Sequence, residues 1–379
     1  MRTKHVYLKS LYRDCIPKTN YSIHGFDNYP SKMIPQMARF LVEKVSEPGQ
    51  TVLDPFCGSG SVLLEASICG RNTIGIDLNP LAVLLSKVKT EIYDSKLLEV
   101  QIEEILKECR LRKNGGVKYK FENANYWFTP ATLRKFGILK SVIDEYDPQI
   151  DRKYVLFWQA ALASIVRACS KADTRGPKPF ISKKARAERL GRHFDPFKIL
   201  EEKARSWIKL RSEYYCKFKG NEVRPSVVVI EGNSINLSDL TNGHEIDAVV
   251  TSPPYINAQD YYRSSKLQLF ILEHSSHDEL RELFRKFAGS DRIHQKISLL
   301  DEKLPSTLAE SKKVNLKPKQ ACVFSQYVLD MFEVFKEINQ VLKEGLYCSI
   351  VSGHNLMSNV KIPTHEVIIE LASNSGFQL

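Results

Sequence analysis

The chain contains no Cys-x-x-Cys pair among its eight cysteines, which argues against a zinc ribbon or a redox dithiol. Its nine histidines form no His-x-x-x-His or His-Glu-x-x-His unit, so no metal is implied. No apolar run reaches the roughly 18 residues that span a bilayer, and Met1 to Asn20 is charged and polar rather than signal-like. A soluble protein is expected, and free thiols in a chain of this size fit a reducing cytoplasm. A phosphate-binding Gly-Lys-Ser/Thr is missing too, and the third glycine of a dinucleotide fingerprint would fall on Leu63.

What is present is a set of three short strands, each ending in a chemically distinctive loop. Thr51 to Asp54 reads as a buried strand, followed by Pro55-Phe56-Cys57-Gly58-Ser59-Gly60 and the helix opening at Ser61. Glycines at 58 and 60 let backbone approach a ligand where a Cβ would collide. Thr73 to Asp77 ends in a carboxylate a little over twenty residues past Asp54, the place for a grip on ribose hydroxyls. Ile246 to Val250 runs into Thr251-Ser252-Pro253-Pro254-Tyr255. Two consecutive prolines remove two backbone donors there and leave the carbonyls of Ser252 and Pro253 free to face a cleft. A stiff acceptor beside an aromatic ring suits a planar group bearing an amine.

Together the three pieces resemble the S-adenosylmethionine-dependent DNA amino-methyltransferases, with their Asp-Pro-Phe-x-Gly-x-Gly cofactor loop and Ser/Asn/Asp-Pro-Pro-Tyr catalytic loop. Both motifs are matched here without a gap. The resemblance implies a Rossmann-like α/β sheet with helices on both faces and S-adenosylmethionine as cofactor. It assigns Ser252, Pro253, Pro254 and Tyr255 to catalysis, and Pro35, Asp54, Phe56, Gly58, Gly60, Asp77, Leu78 and Asn233 to the cofactor. Tyr29-Pro30-Ser31-Lys32-Met33-Ile34-Pro35 is similar to a family segment that packs against the methionine end of the cofactor. Ser at position 252 points within the family to N4 of cytosine, with N6 of adenine as the alternative. Carbon-5 methylation would need a cysteine nucleophile, usually after proline, and no Pro-Cys pair exists.

Between about residues 94 and 224 the strand–helix rhythm stops. Helical periodicity dominates Leu98 to Leu111, Ala131 to Tyr146 and Tyr154 to Cys169. Three divisions follow: a cofactor-binding half (1–93), a helical basic insertion for DNA contact and target recognition (94–224), and a catalytic half (225–379) with its own helical insertion at about 266–317. Residues 167–219 hold sixteen Lys/Arg against six Asp/Glu, nearly all of the chain's net charge of +11. A surplus this one-sided predicts a phosphate-backbone surface, with Lys183, Lys184, Arg186, Arg189 and Arg192 as contacts.

The partner expected is double-stranded DNA, with a cognate restriction endonuclease as a further partner. Rival readings are an RNA guanine-N2 methyltransferase, which shares the cofactor loop, and an inactive DNA-binding subunit of a split methyltransferase. The family's fifth strand is followed by a helix, here Thr364 to Asn374 with Thr364 as N-cap, and then by an antiparallel hairpin. Here the sequence stops at Gly376-Phe377-Gln378-Leu379. The expectation is an open sheet edge, to be explained by truncation, a second polypeptide completing the sheet, or a cap such as residues 1–20, and with it poor solubility and weak activity for this chain alone.

Overall fold

A computed structural model describes residues 22–27, 29–112, 116–146, 151–176, 178–189, 194–215, 224–256, 261–273, 276–288, 290, 316–357 and 359–379. In chain order the elements used below are α1 (Pro35–Val45), β1 (Thr51–Asp54), α2 (Ser61–Ile68), β2 (Asn72–Asp77), α3 (Pro80–Thr90), α4 (Ser95–Leu111), α5 (Pro130–Glu145), α6 (Arg152–Val166), α7 (Lys183–Arg189) and α8 (Pro196–Tyr215). They continue with β3 (Val227–Glu231), β4 (Ile246–Thr251), α9 (Tyr261–Ile271), α10 (His277–Arg285), α11 (Pro318–Val341), β5 (Leu342–Ile350), β6 (Asn355–Met357), β7 (Val360–Ile362) and α12 (Thr364–Asn374).

Five parallel strands form one sheet in the order β3-β2-β1-β4-β5. Strand alternation sorts its side chains onto two faces. Val52, Ala248 and Val250 meet α1 and α2, whereas Leu53, Ile76 and Val249 meet Tyr327, Met331 and Phe335 of α11. The chain lays β2 and β3 on one side of β1 and then returns to place β4 on the other. This reversal opens a crevice at the carboxyl ends of β1 and β4, where open α/β sheets bind ligands. Gly75 keeps the layer thin behind that crevice, since a Cβ there would lie 2.3 Å from Leu63 Cδ1.

The helices between β2 and β3 pack on α3 rather than on the sheet. Leu81, Leu85 and Val88 share a core with Phe157, Trp158 and Trp207. Three of these helices start on side-chain caps: Asp94 accepts from Lys96 N at 2.8 Å, Thr129 from Thr132 N at 3.1 Å, and Asp151 from Lys153 N at 3.1 Å. Caps precede the first apolar contact, so the helices begin up to three residues before the hydrophobic period does.

One expectation changes. Thr364 is the first residue of α12 rather than its cap, and its hydroxyl accepts from Asn355 Nδ2 at 3.1 Å, tying the helix to β6. An antiparallel pair does exist, β6 with β7, but it precedes α12 and stands apart from the main sheet. Residues 377–379 form no strand, and β5 is the sheet's edge among the described residues. No helix among these residues is long and apolar enough to cross a membrane.

Candidate active site

The loop after β1 is held by side chains from below. Gly58 and Gly60 have φ of +52° and +77°, a region that L side chains avoid. At Gly60 a Cβ would also come within 2.8 Å of Ser86 Oγ. Ser86 Oγ of α3 donates to Gly58 O at 2.8 Å, and Lys89 Nζ reaches Ser59 Oγ at 3.0 Å. Asp77, at the end of β2, accepts from Gly58 N at 2.9 Å and from Asn79 N at 2.8 Å. Its carboxylate therefore braces the loop while its remaining lone pairs are available to a ligand.

Asp54 and the β4 end are joined directly. Thr251 Oγ1 donates to Asp54 Oδ1 at 2.7 Å, and the same oxygen accepts from Phe56 N at 3.1 Å. Burial pushes the Asp54 carboxyl up to about 7, against the pull of these two donors, and pushes Asp77 up to about 6 against its backbone amides. Val351 N donates to Thr251 O at 2.9 Å, so β5 fixes the last residue before the Ser252–Tyr255 loop.

Both loops open into one cleft that is partly exposed to solvent. Of the residues singled out from sequence, Asp54, Phe56, Gly58, Asp77, Leu78, Asn233, Ser252 and Pro254 line it. Gly60 lies behind the loop as the N-cap of α2. Pro253 is buried, and Tyr255 is half-buried beside the cleft lining. Pro35 is buried in the first turn of α1, and the cleft is lined instead by the segment from Pro30 to Met33. Asn233 uses its Oδ1 to accept from Ile235 N at 3.3 Å. Lys183 and Lys184 are exposed on α7, with Lys184 Nζ 3.7 Å from Glu188 Oε1. Arg192 and the side chains of Arg186 and Arg189 lie outside the described residues.

Tyr29, within the segment already singled out, lines the cleft and also a neighbouring cavity of about 180 Å³ that contains Lys203, Ser264, Ser265 and Gln268. Two further residues carried no local signal in the sequence. Asp27 and Lys89, both buried, pair at 2.8 Å beneath the loop. Burial works against the Asp27 carboxylate, but Lys89 and Lys32 outweigh it and hold the group below its usual range. Part of the basic surplus is already spent within the chain. Arg211 is buried and donates to Glu91 O at 2.7 Å, and exposed Arg205 pairs with Glu103 and Glu201.

A parallel sheet reversing at β1, with a glycine-bent loop at one strand end and a carboxylate at the next, is the arrangement in which α/β proteins bind a nucleoside group. Residues 2–87 match the family model described as DNA methylase, N6/N4 type. Type II methyltransferase M.MvaI of Kocuria varians is 26% identical, over 92% of this chain and 80% of its own length. M.BsoBI of Geobacillus stearothermophilus is 24% identical over 90% and 69%. A tRNA (guanine(10)-N2)-dimethyltransferase of Methanocaldococcus jannaschii is 34% identical, over 22% of this chain and 27% of its own. These matches support a DNA amino-methyltransferase of restriction–modification type, a family whose methyl donor is S-adenosylmethionine.

The glycine bends and the Asp77 carboxylate fit that cofactor, which brings hydroxyls and an ammonium to a cleft with two acids of raised pKa. A ligand that favours the ionised acids releases protons when it binds. Affinity for S-adenosylhomocysteine is thus expected to rise between about pH 5.5 and 7.5, with a binding enthalpy that follows the buffer's ionisation enthalpy. Calorimetry in two buffers checks this, and an affinity independent of pH would show that neither acid is linked to binding.

Proposed function

We propose that the chain transfers the methyl group of S-adenosylmethionine to the exocyclic amine of a DNA base extruded from the duplex, with N4 of cytosine as the preferred target. The observation that carries this reading is the Thr251–Asp54 hydrogen bond at 2.7 Å. It puts the acceptor-rich Ser252–Tyr255 loop and the cofactor loop on one cleft.

The cofactor supplies an electrophilic methyl group on a sulfonium. An exocyclic amine is a weak nucleophile because its lone pair is delocalised into the ring. Accepting its N–H protons at the Ser252 hydroxyl or carbonyl and at the Pro253 carbonyl favours a pyramidal nitrogen, and fixed dipoles stabilise the charge that develops there. Tyr255 stacks on the base, which must leave the duplex to reach the loop. Alignment of nitrogen, carbon and sulfur accounts for much of the rate. On the cofactor side, Asp77 would hold the ribose, Leu78 would pack on the adenine, Phe56 would line the cofactor, and Asn233 would accept from the adenine amino group. Residues 1–93 and 225–379 form the two halves of the catalytic unit in this reading, and 94–224 the DNA-facing part.

Coverage of more than nine-tenths of the chain by M.MvaI, against about a fifth by the tRNA enzyme, supports DNA over RNA. Ser252 supports cytosine, with N6 of adenine as the alternative. Nucleoside mass spectrometry of DNA incubated with the protein and S-adenosylmethionine is expected to show N4-methylcytosine. N6-methyladenine would reassign the base, and methylated tRNA with unmodified DNA would overturn the reading.

Exposed Lys183 and Lys184 support a phosphate-binding role for α7. Replacing Lys183, Lys184, Arg186 and Arg189 by Gln is expected to flatten the salt dependence of DNA affinity by about 0.9 in log–log slope for each phosphate no longer neutralised. An unchanged slope would return α7 to an ordinary solvated face.

A further inference from the structure

Asn79 is fully buried, and its side chain makes three hydrogen bonds that use both of its amide donors. Its Oδ1 accepts from Leu81 N at 3.1 Å and caps α3, which fixes the orientation of the amide. The Nδ2 group then donates to Tyr29 OH at 2.9 Å and to Ser265 Oγ at 3.0 Å. Tyr29 belongs to the segment that lines the cofactor cleft, and its ring lies close enough to Gly58 that a Cβ there would meet it at 3.5 Å. The backbone of Tyr29 is held as well, with its N–H donating to Asp27 Oδ1 at 2.8 Å. Ser265, itself buried, sits on α9, the first helix after the Ser252–Tyr255 loop.

One amide therefore joins the end of β2, the segment over the cofactor loop, and the helix that follows the catalytic loop. Tyr29 lines both cavities together with Pro30, and Ser265 lines the second. A shift of the loop against Tyr29 is passed through Asn79 to α9 because both bonds come from one rigid planar group with no spare donor. The alternative of a plain helix cap would need only Oδ1.

We propose that Asn79 is a positioning residue that couples occupancy of the cofactor cleft to the placement of α9 and thereby of the catalytic loop. The inference rests on the cleft holding the nucleoside cofactor, and its test reads cofactor binding separately from coupling. Amide hydrogen exchange is measured with and without S-adenosylhomocysteine in the wild type, in Asn79→Ser and in Ser265→Ala. Serine keeps the helix cap but is too short to reach Tyr29 and Ser265, whereas Ser265→Ala leaves the Tyr29 bond in place.

In the wild type the ligand is expected to slow exchange both in residues 56–60 and in residues 265–271. In both variants the affinity should stay within about threefold and the loop should remain protected. The ligand-induced protection of α9 should fall by about tenfold or more. If Asn79→Ser does not fold, Ser265→Ala carries the test alone. Bound ligand with α9 unresponsive in the wild type, or with α9 equally protected in the variants, overturns the coupling. No binding by the wild type at all overturns the cofactor reading and the coupling with it.

Discussion

The hydrogen bond from Thr251 to Asp54 is the constraint on which the site depends. It links the ends of two neighbouring parallel strands at the point where the sheet reverses direction, and both partners are almost wholly buried. A carboxyl raised to about 7 by burial is costly to ionise without donors. Thr251 Oγ1 and Phe56 N are those donors, so the acid's need for partners also sets the distance between the loops. Register does the rest: Val52 pairs with Ala248 and Leu53 with Val249, which brings the last residues of the two strands, Asp54 and Thr251, side by side at the cleft.

Behind this lies a second polar layer. His24 meets Glu65 at 2.7 Å, Glu65 takes Arg39 at 2.7 Å, and Lys89 bridges Asp27 to Ser59. Removing one member of such a buried pair typically costs about 3–5 kcal/mol, because the other charge is left without a partner. These pairs tie the segment 22–33 to α2 and to the cofactor loop. The cleft is thus walled on one side by a stretch whose own secondary structure is only a short 3-10 turn, Ser22–Phe26. That stretch keeps its place through charge and hydrogen bonding rather than through backbone regularity.

The strand ends were readable from sequence because their signals are local. Pro-Phe-x-Gly-x-Gly and Ser-Pro-Pro-Tyr specify backbone conformation within a few residues, and Asp77 follows at a spacing set by one strand–helix–strand unit. Asn79 and Lys89 were not readable as site residues, since their partners lie up to 186 residues away. Counting charges in 167–219 had the same weakness. It treated Arg211 and Arg205 as charge available to phosphate, although one is buried against backbone carbonyls and the other, on the surface, is neutralised by two glutamates. Pro35 illustrates the reverse, a motif position that matched in type while its neighbours Pro30 to Met33 took the cleft.

The central claim, that the two loops act as one site because the strand ends are bonded to each other, is tested most directly by Thr251→Val. The substitution keeps shape and removes only the hydroxyl donor. A hydrogen bond to an ionisable acid contributes about 1.5–3 kcal/mol, so the methyl-transfer rate at saturating cofactor and DNA is expected to fall by about tenfold to a hundredfold, with the melting temperature little changed. A rate within about twofold of the wild type would contradict the account, because the loops would then hold their spacing without that bond.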